Sequence, residues 1–315
     1  MSAYFDDDDN SIPVWARPLG RQGYRSFLGL IESYFANRHI SVAIDDEEGL
    51  VKPDQSTFPY SSTFGLQNIA QLCQKADRDE WHDLITAHFD SIFEVNDRET
   101  ALPVQMEDFT KVKSKIRGRL YPADVVNHAT DIVQRPGPEG TLEVVALDLP
   151  STVRTVSRSE ALSWGLDPED LFEIGRRNLR LTGKLKPNTI QLEPGTALTI
   201  YTGDPFYAAS HALILEDYIP EENQHGVLLG VPKRDIMIVH PIMNIGAMEA
   251  AGAMLQVIVG MHRDGPGSIS PNLYWYHDGH FTVLPYELED RSLRFLPPDE
   301  FAELLDELGE VASYS

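Results

Sequence analysis

Tyr24, Phe27, Leu28, Ile31, Tyr34 and Phe35 recur at the three- and four-residue spacing that puts side chains on one face of an α-helix. The same spacing joins Leu66, Ile69, Ala70 and Cys73, and again Trp81, Leu84, Ile85, His88, Phe89 and Ile92. Residues 1–95 are therefore expected to form a mainly helical region. Between its first two helices, His39 to Ile44 reads as a short strand, and the stretch around Gly49 and Pro53 as a turn.

The helical period ends in a charged, Pro103-containing stretch, which marks 96–110 as a linker and 111–315 as a second domain. There, strand-like pairs flank turn signals and are followed by helical runs. Leu142–Leu149 and Val153–Val156 precede a helix from Pro168 to Leu181, and Ile190–Leu192 and Ala197–Tyr201 precede one from Pro205 to Tyr218. Val227–Gly230 and Ile236–Val239 flank Pro232-Lys233 and lead into a helix from Ile245 to Met261. Leu273–Tyr276 and Phe281–Leu284 flank Asp278-Gly279, a strong hairpin dipeptide, before a last helix carrying Phe301, Leu304, Leu305 and Leu308. The expected fold is α+β: an antiparallel-rich sheet built from strand-turn-strand-helix units with helices on one face, plus the small helical N-terminal region.

Charge narrows the partners. Forty-nine acids against 26 bases give a formal net charge of −23, so the averaged surface field repels phosphate backbones and anionic headgroups, which argues against nucleic acid and membrane surfaces. Ile236 to Met261 lacks Lys, Arg and Asp, but His240, Pro241, Asn244, Glu249 and Gln256 break it up, so it reads as a buried strand, a turn and a buried helix. The single cysteine, Cys73, and an N-terminus opening on acids fit an unprocessed, soluble cytoplasmic protein.

Short motifs in order, Arg119-Leu120-Tyr121-Pro122, Ala146-Leu147-Asp148-Leu149, Asn178-Leu179-Arg180, then Asp204, Tyr207, Ala209 and Ser210, then Val231-Pro232, Asp235 and Asn244, give residues 119–287 a likeness. They resemble the YtpQ family of bacterial proteins of unknown function. The resemblance leaves the helical N-terminal region outside it and implies no activity to carry over.

Two groups of residues attract functional attention. Lys111, Lys113, Lys115, Arg117 and Arg119 alternate with other residues, and in a strand all five cations would project to one side as a linear rail. Such a rail is expected to be neutralised by carboxylates of this chain or of a partner. Asp204, Tyr207, Ser210, Arg234 and Asp235 come from two adjacent units at strand-to-helix junctions and would gather at one end of the sheet as a cleft. The bland reading makes Asp204 an N-cap ahead of Pro205 and leaves Arg234 and Asp235 exposed at a turn. His88 and His211 fall on apolar faces and read as core histidines. His277 and His280 bracket a tight turn with no third ligand nearby, so no metal is expected. HExxH, Walker-type, GxSxG and spaced-glycine motifs are all absent, and no cofactor is expected. Glu289 to Glu310 holds eight acids and two arginines, a surface suited to meeting another protein. The leading expectation is a non-enzymatic protein-interaction or regulatory module. The alternative is a hydrolase-like enzyme working through Asp204, His211 and Asp235, and a small-molecule ligand stays open.

Overall fold

The computed structural model describes residues 12–47, 49–54, 56–57, 64–99, 108–126, 131–149, 153–193, 196–263, 265, 267–289 and 292–313. The chain divides into two compact units, 1–101 and 102–315.

In the first unit a 3-10 turn, Val14–Leu19, leads into α1 (Gly20–Asn37), then β1 (Val42–Asp45), β2 (Leu50–Pro53), β3 (Phe64–Gly65), α2 (Gln67–Lys75) and α3 (Trp81–Glu99). The apolar faces read from the sequence meet here: Phe27, Ile31 and Phe35 of α1 pack with Ile69 and Cys73 of α2 and with Trp81, Ile85 and Phe89 of α3. Aromatic rings fill the centre, with Phe35 edge-on to Phe89 at 5.0 Å between centroids. A capping box, Asp77 with Glu80, starts the last helical run. His88 lies half-buried beside Phe89, and burial holds its imidazole below the usual histidine range. The stretch from Leu50 to Pro53 is a strand and not a turn: β2 pairs with β1, Ile44 opposite Val51, and with β3. The reversal lies just before it, where Gly49 has φ +63° and a Cβ would overlap the Trp15 ring at 2.7 Å.

The second unit holds α4 (Phe109–Val112), β4 (Ile116–Pro122), α5 (Ala123–Val126), β5 (Gln134–Pro136), β6 (Thr141–Asp148), β7 (Val153–Thr155), α6 (Arg158–Ser163) and α7 (Pro168–Leu181). Residues 96–99 of the expected linker belong to α3, and α4 begins at Phe109. Strand β6 is the spine of a small sheet, pairing antiparallel with β4, β5 and β7. Asp167 and Pro168 start α7 as the sequence suggests, with the Asp167 carboxylate accepting from Glu169 N at 2.9 Å. The helix lies close on β4: a Cβ at Gly175 would come within 2.6 Å of Gly118 N. Beside that contact Glu143, 0% exposed, accepts hydrogen bonds from Arg135 at 2.8 Å and Arg176 at 2.8 Å, tying the sheet to α7.

A larger antiparallel sheet follows in the order β13-β12-β10-β11-β9-β8. Its strands are β8 (Lys186–Glu193), β9 (Thr196–Thr202), β10 (Val227–Lys233), β11 (Ile236–Pro241), β12 (Leu273–His277) and β13 (His280–Leu284), with helix α8 (Ala247–Arg263) between β11 and β12. A two-stranded ribbon, β14 (Tyr286–Glu289) and β15 (Ser292–Phe295), precedes α9 (Asp299–Ser313). Because side chains alternate along strands, Leu228, Ile238 and Leu273 face α8 and α9. Val227, Leu229, Val231, Met237 and Val239 face the other way, onto Tyr207 and the run from Ala208 to Leu215. The regular helices thus cover one face, as the unit pattern suggests, and the second face is also covered, by a 3-10 segment, Ala209–Tyr218.

Four sequence expectations change here. The four units do not share one sheet, since the first hairpin belongs to the β6-centred sheet. The helix expected from Pro205 is 3-10 and kinked at Ile214, because Ala209 to Leu215 are buried all round and no single apolar stripe favours a 3.6-residue period. Pro232 and Lys233 lie inside β10, and Lys233 opposite Ile236 puts the reversal at Arg234-Asp235. The helix expected to be buried from Ile245 leaves Met248 54% exposed in its first turn. The Asp278-Gly279 hairpin is as expected, with φ of 49° and 79°. Two positive φ values in a two-residue loop match the strand twist.

Two substitutions test this packing. Leu255→Ala should cost about 2–5 kcal/mol in denaturant unfolding because Leu255 is fully buried, and a loss under about 0.5 kcal/mol would take α8 out of the core. Gly175→Ala should lower Tm, reversing the roughly 1 kcal/mol gain that alanine brings to an open helical site, since its methyl would meet the β4 backbone.

Candidate functional site

The basic rail does not form as a strand. Asp108 accepts from Thr110 N at 3.0 Å and from its hydroxyl at 2.6 Å, capping a helical turn. Lys111 therefore lies in α4 and Lys113 and Lys115 in a 3-10 turn, with Lys113 Nζ over the Phe109 ring. Only Arg117 and Arg119 are extended, in β4. The neutralising carboxylates are partly local: Lys111 lies 3.6 Å from Asp108 and Arg117 3.8 Å from Asp148.

What assembles instead is a shorter cluster around the outer edge of β4. Asn178 Nδ2 donates to Lys113 O at 2.7 Å and Ile116 O at 2.9 Å, and Ser210 Oγ accepts from Leu120 N at 3.1 Å. These bonds from α7 and the 3-10 segment satisfy backbone groups that an edge strand leaves open. Arg117, Arg119 and Tyr121 share the strand face opposite Gly118, which sits against α7.

Asp204 Oδ1 accepts from Phe206 N at 2.8 Å and Tyr207 N at 2.9 Å, a tight turn that leaves Phe206 exposed and buries Tyr207. The Arg119 guanidinium lies 4.7 Å from the Tyr121 ring centroid and 5.7 Å from that of Tyr207, and its Nη1 donates to Tyr121 Oη at 2.9 Å. Arg234 arrives from the β10–β11 reversal, its guanidinium 5.4 Å from the Phe206 ring and its backbone fixed by Ala209 N and Gly267 O. The two guanidiniums thus stand over consecutive aromatic residues. Burial first, and then the positive charge of Arg119, hold Arg234 below its ordinary range. Arg119 is 8% exposed and Tyr207 3%. Among the described residues, Arg119 Nε, Arg117 Nε, Tyr207 Oη and Asp235 Oδ1 are buried without a hydrogen-bond partner. Burial, then Asp148, pushes the Tyr207 hydroxyl up, so it keeps its proton. No carboxylate lies within ion-pair distance of Arg119 or Arg234 among the described residues; Asp148 serves Arg117, and Asp235 lies 3.9 Å from Lys233.

Of the residues singled out in the sequence, the structure brings together Arg117, Arg119, Tyr207 and Arg234, with Ser210 and Asp204 as supports. Lys113 and Lys115 stay outside the cluster. Tyr121, Phe206 and Asp148 were not singled out as site residues. Tyr121 was legible as the next same-face residue of the strand after Arg119, whereas Phe206 and Asp148 needed the fold. Among the described residues no hydrogen bond links Asp204, His211 and Asp235 to one another, and the charge of Asp204 reaches His211 through space. His211 is buried, its Nδ1 hydrogen-bonded with Tyr218 Oη at 2.6 Å, and that hydroxyl also accepts from Leu185 N at 3.0 Å. His277 stacks on Trp275 with centroids 5.1 Å apart, and among the described residues no three His, Cys, Asp or Glu side chains are placed to hold a metal ion. No described helix is long and apolar enough to cross a membrane.

No family model, no curated protein and no solved structure matches this chain.

The buried imidazole generates a pH prediction. Burial depresses the His211 pKa from 6.5 to about 4. Above the unfolded value both states are neutral and the group contributes nothing. As pH falls from 6.5 towards 4 the unfolded chain takes up a proton that the fold refuses, so stability is lost across that window, by up to about 3 kcal/mol. Urea unfolding at pH 7 and pH 4.5 should show a smaller acid loss in His211→Asn, which keeps an acceptor for Tyr218 and cannot titrate. An equal loss in both proteins would mean that His211 protonates in the fold.

Proposed function

We propose that this chain is a non-enzymatic protein-interaction or regulatory module that receives an anionic group of its partner at Arg119 and Arg234. The observation that carries the reading is the pair itself. In a chain with 49 acidic residues, two neighbouring guanidiniums have no carboxylate within ion-pair distance among the described residues. Carboxylates elsewhere in the fold are used freely to match arginines: Glu143 holds Arg135 and Arg176, and Glu160 holds Arg154. Leaving Arg119 largely buried and unmatched costs desolvation and mutual repulsion that an external anion would relieve. The net charge of −23 disfavours a polyanion such as nucleic acid, while a single anionic group presented by a protein experiences much less repulsion. The hydrolase alternative gains nothing from the geometry, since Asp204 is spent on two backbone amides and His211 on Tyr218.

Affinity capture from a native lysate tests the reading by comparing the wild-type chain with Arg234→Gln, and with Arg180→Gln as a control whose guanidinium pairs with Glu216 and Asp217. A stoichiometric protein partner should be retained by wild type and the control and lost from Arg234→Gln at unchanged circular dichroism and Tm. Equal retention by all three would defeat it.

A further inference from the structure

We propose that the Arg119–Arg234 cluster is a binding site for a phosphate monoester dianion, a reading that rests on the anion-docking function above and names its ligand class. Asp148 lies 3.8 Å from Arg117 and Asp235 3.9 Å from Lys233, so among the described residues neither Arg119 nor Arg234 has a carboxylate within ion-pair distance. A carboxylate would neutralise one of them; a phosphate monoester, at close to two negative charges at neutral pH, neutralises both.

Tyr121 Oη accepts from Arg119 and so has its own proton to give, and Tyr207 Oη has no partner among the described residues. Two guanidinium forks and two phenolic hydroxyls suit the three terminal oxygens of a phosphate better than the two of a carboxylate. The donors are also preorganised. The Arg119 guanidinium is held by the rings of Tyr121 and Tyr207, and that of Arg234 by the Phe206 ring, with the Arg234 stem against Gly267. Any Cβ at residue 267 would sit 3.1 Å from that stem. Cation–π contacts fix the planes of the guanidiniums while leaving N–H edges for a ligand. Phosphodiesters are disfavoured, since each carries one charge and their polymers meet the repulsion of a −23 chain.

The experiment is isothermal titration of the full chain at constant ionic strength near ~0.15 M with inorganic phosphate, phosphoserine, a phosphoserine-containing peptide and acetate. Phosphate species should bind and acetate should not. Arg119→Gln and Arg234→Gln should each weaken binding by about tenfold or more, as expected for loss of a charge-assisted fork. Because Arg119 is buried, Arg234→Gln carries the test if the first variant fails to fold. Affinity should fall as pH is lowered through about 6, where the phosphate loses its second charge and the arginines keep theirs. Peptide binding about tenfold or more tighter than inorganic phosphate supports a phosphorylated protein side chain as the source, and comparable affinities support a small phosphomonoester; either upholds the site. Acetate binding as tightly as phosphate overturns the phosphate assignment while leaving anion docking in place. Phosphate binding unchanged in Arg234→Gln overturns the site, and binding of no anion at all overturns both the assignment and the docking reading.

Discussion

The contact between α7 and β4 is the constraint on which the second unit depends. With a hydrogen in place of a side chain at Gly175, helix and strand backbones approach more closely than a Cβ there would allow, and a Cβ at Gly118 would crowd Glu143 and Leu213 at 3.1 Å. That approach brings Arg176 over Glu143, whose carboxylate is removed from water and therefore has to be matched where it stands. A stranded charge at such a position costs about 3–5 kcal/mol, so Arg135, Arg176 and Glu143 are locked together or the layer does not form. The same approach carries Asn178 to the β4 edge, where its amide satisfies two carbonyls.

From that edge the architecture extends in one direction. The 3-10 segment Ala209–Tyr218 accepts from Leu120 N through Ser210 and sets Leu213 against Gly118 on one side, and joins the apolar cluster on the second face of the six-stranded sheet on the other. A segment buried on opposite sides has no solvent stripe, and its backbone geometry is set by what it must touch rather than by its own period. Tyr218 closes the arrangement by bonding both His211 and Leu185 N. The opposite face of the sheet is filled more conventionally, by α8 and α9. Gly230 makes room for Ile258 of α8 there, since a Cβ would come within 2.4 Å of it.

The arginine cluster is a by-product of this join and inherits its rigidity. Arg119 and Tyr121 are carried by the β4 edge, Phe206 and Tyr207 by the turn that opens the 3-10 segment, and Arg234 by the reversal between β10 and β11. Each of the three carriers is fixed by hydrogen bonds to backbone groups, and among the described residues no carboxylate lies within ion-pair distance of either guanidinium.

Local chemistry was readable from the sequence. The apolar periods of α1, α2 and α3, the Asp167-Pro168 start of α7 and the Asp278-Gly279 hairpin depend on residues within one or two turns of each other, and all three kinds of signal appear as expected. The α+β class followed, because alternating and helical periods in succession leave few other ways to bury their apolar faces. The basic rail misled for the same local reason: alternation of Lys and Arg suggests a strand, but Asp108 with Thr110 caps a turn, and the first three cations leave the strand. The two coverings of the six-stranded sheet, the placing of the reversal at Arg234-Asp235 and the meeting of Arg119 with Tyr207 and Arg234 were decided only in three dimensions. A sequence period reports which side of an element is apolar; which element lies against that side, and which charges therefore lack a partner, is fixed by packing between residues far apart in the chain.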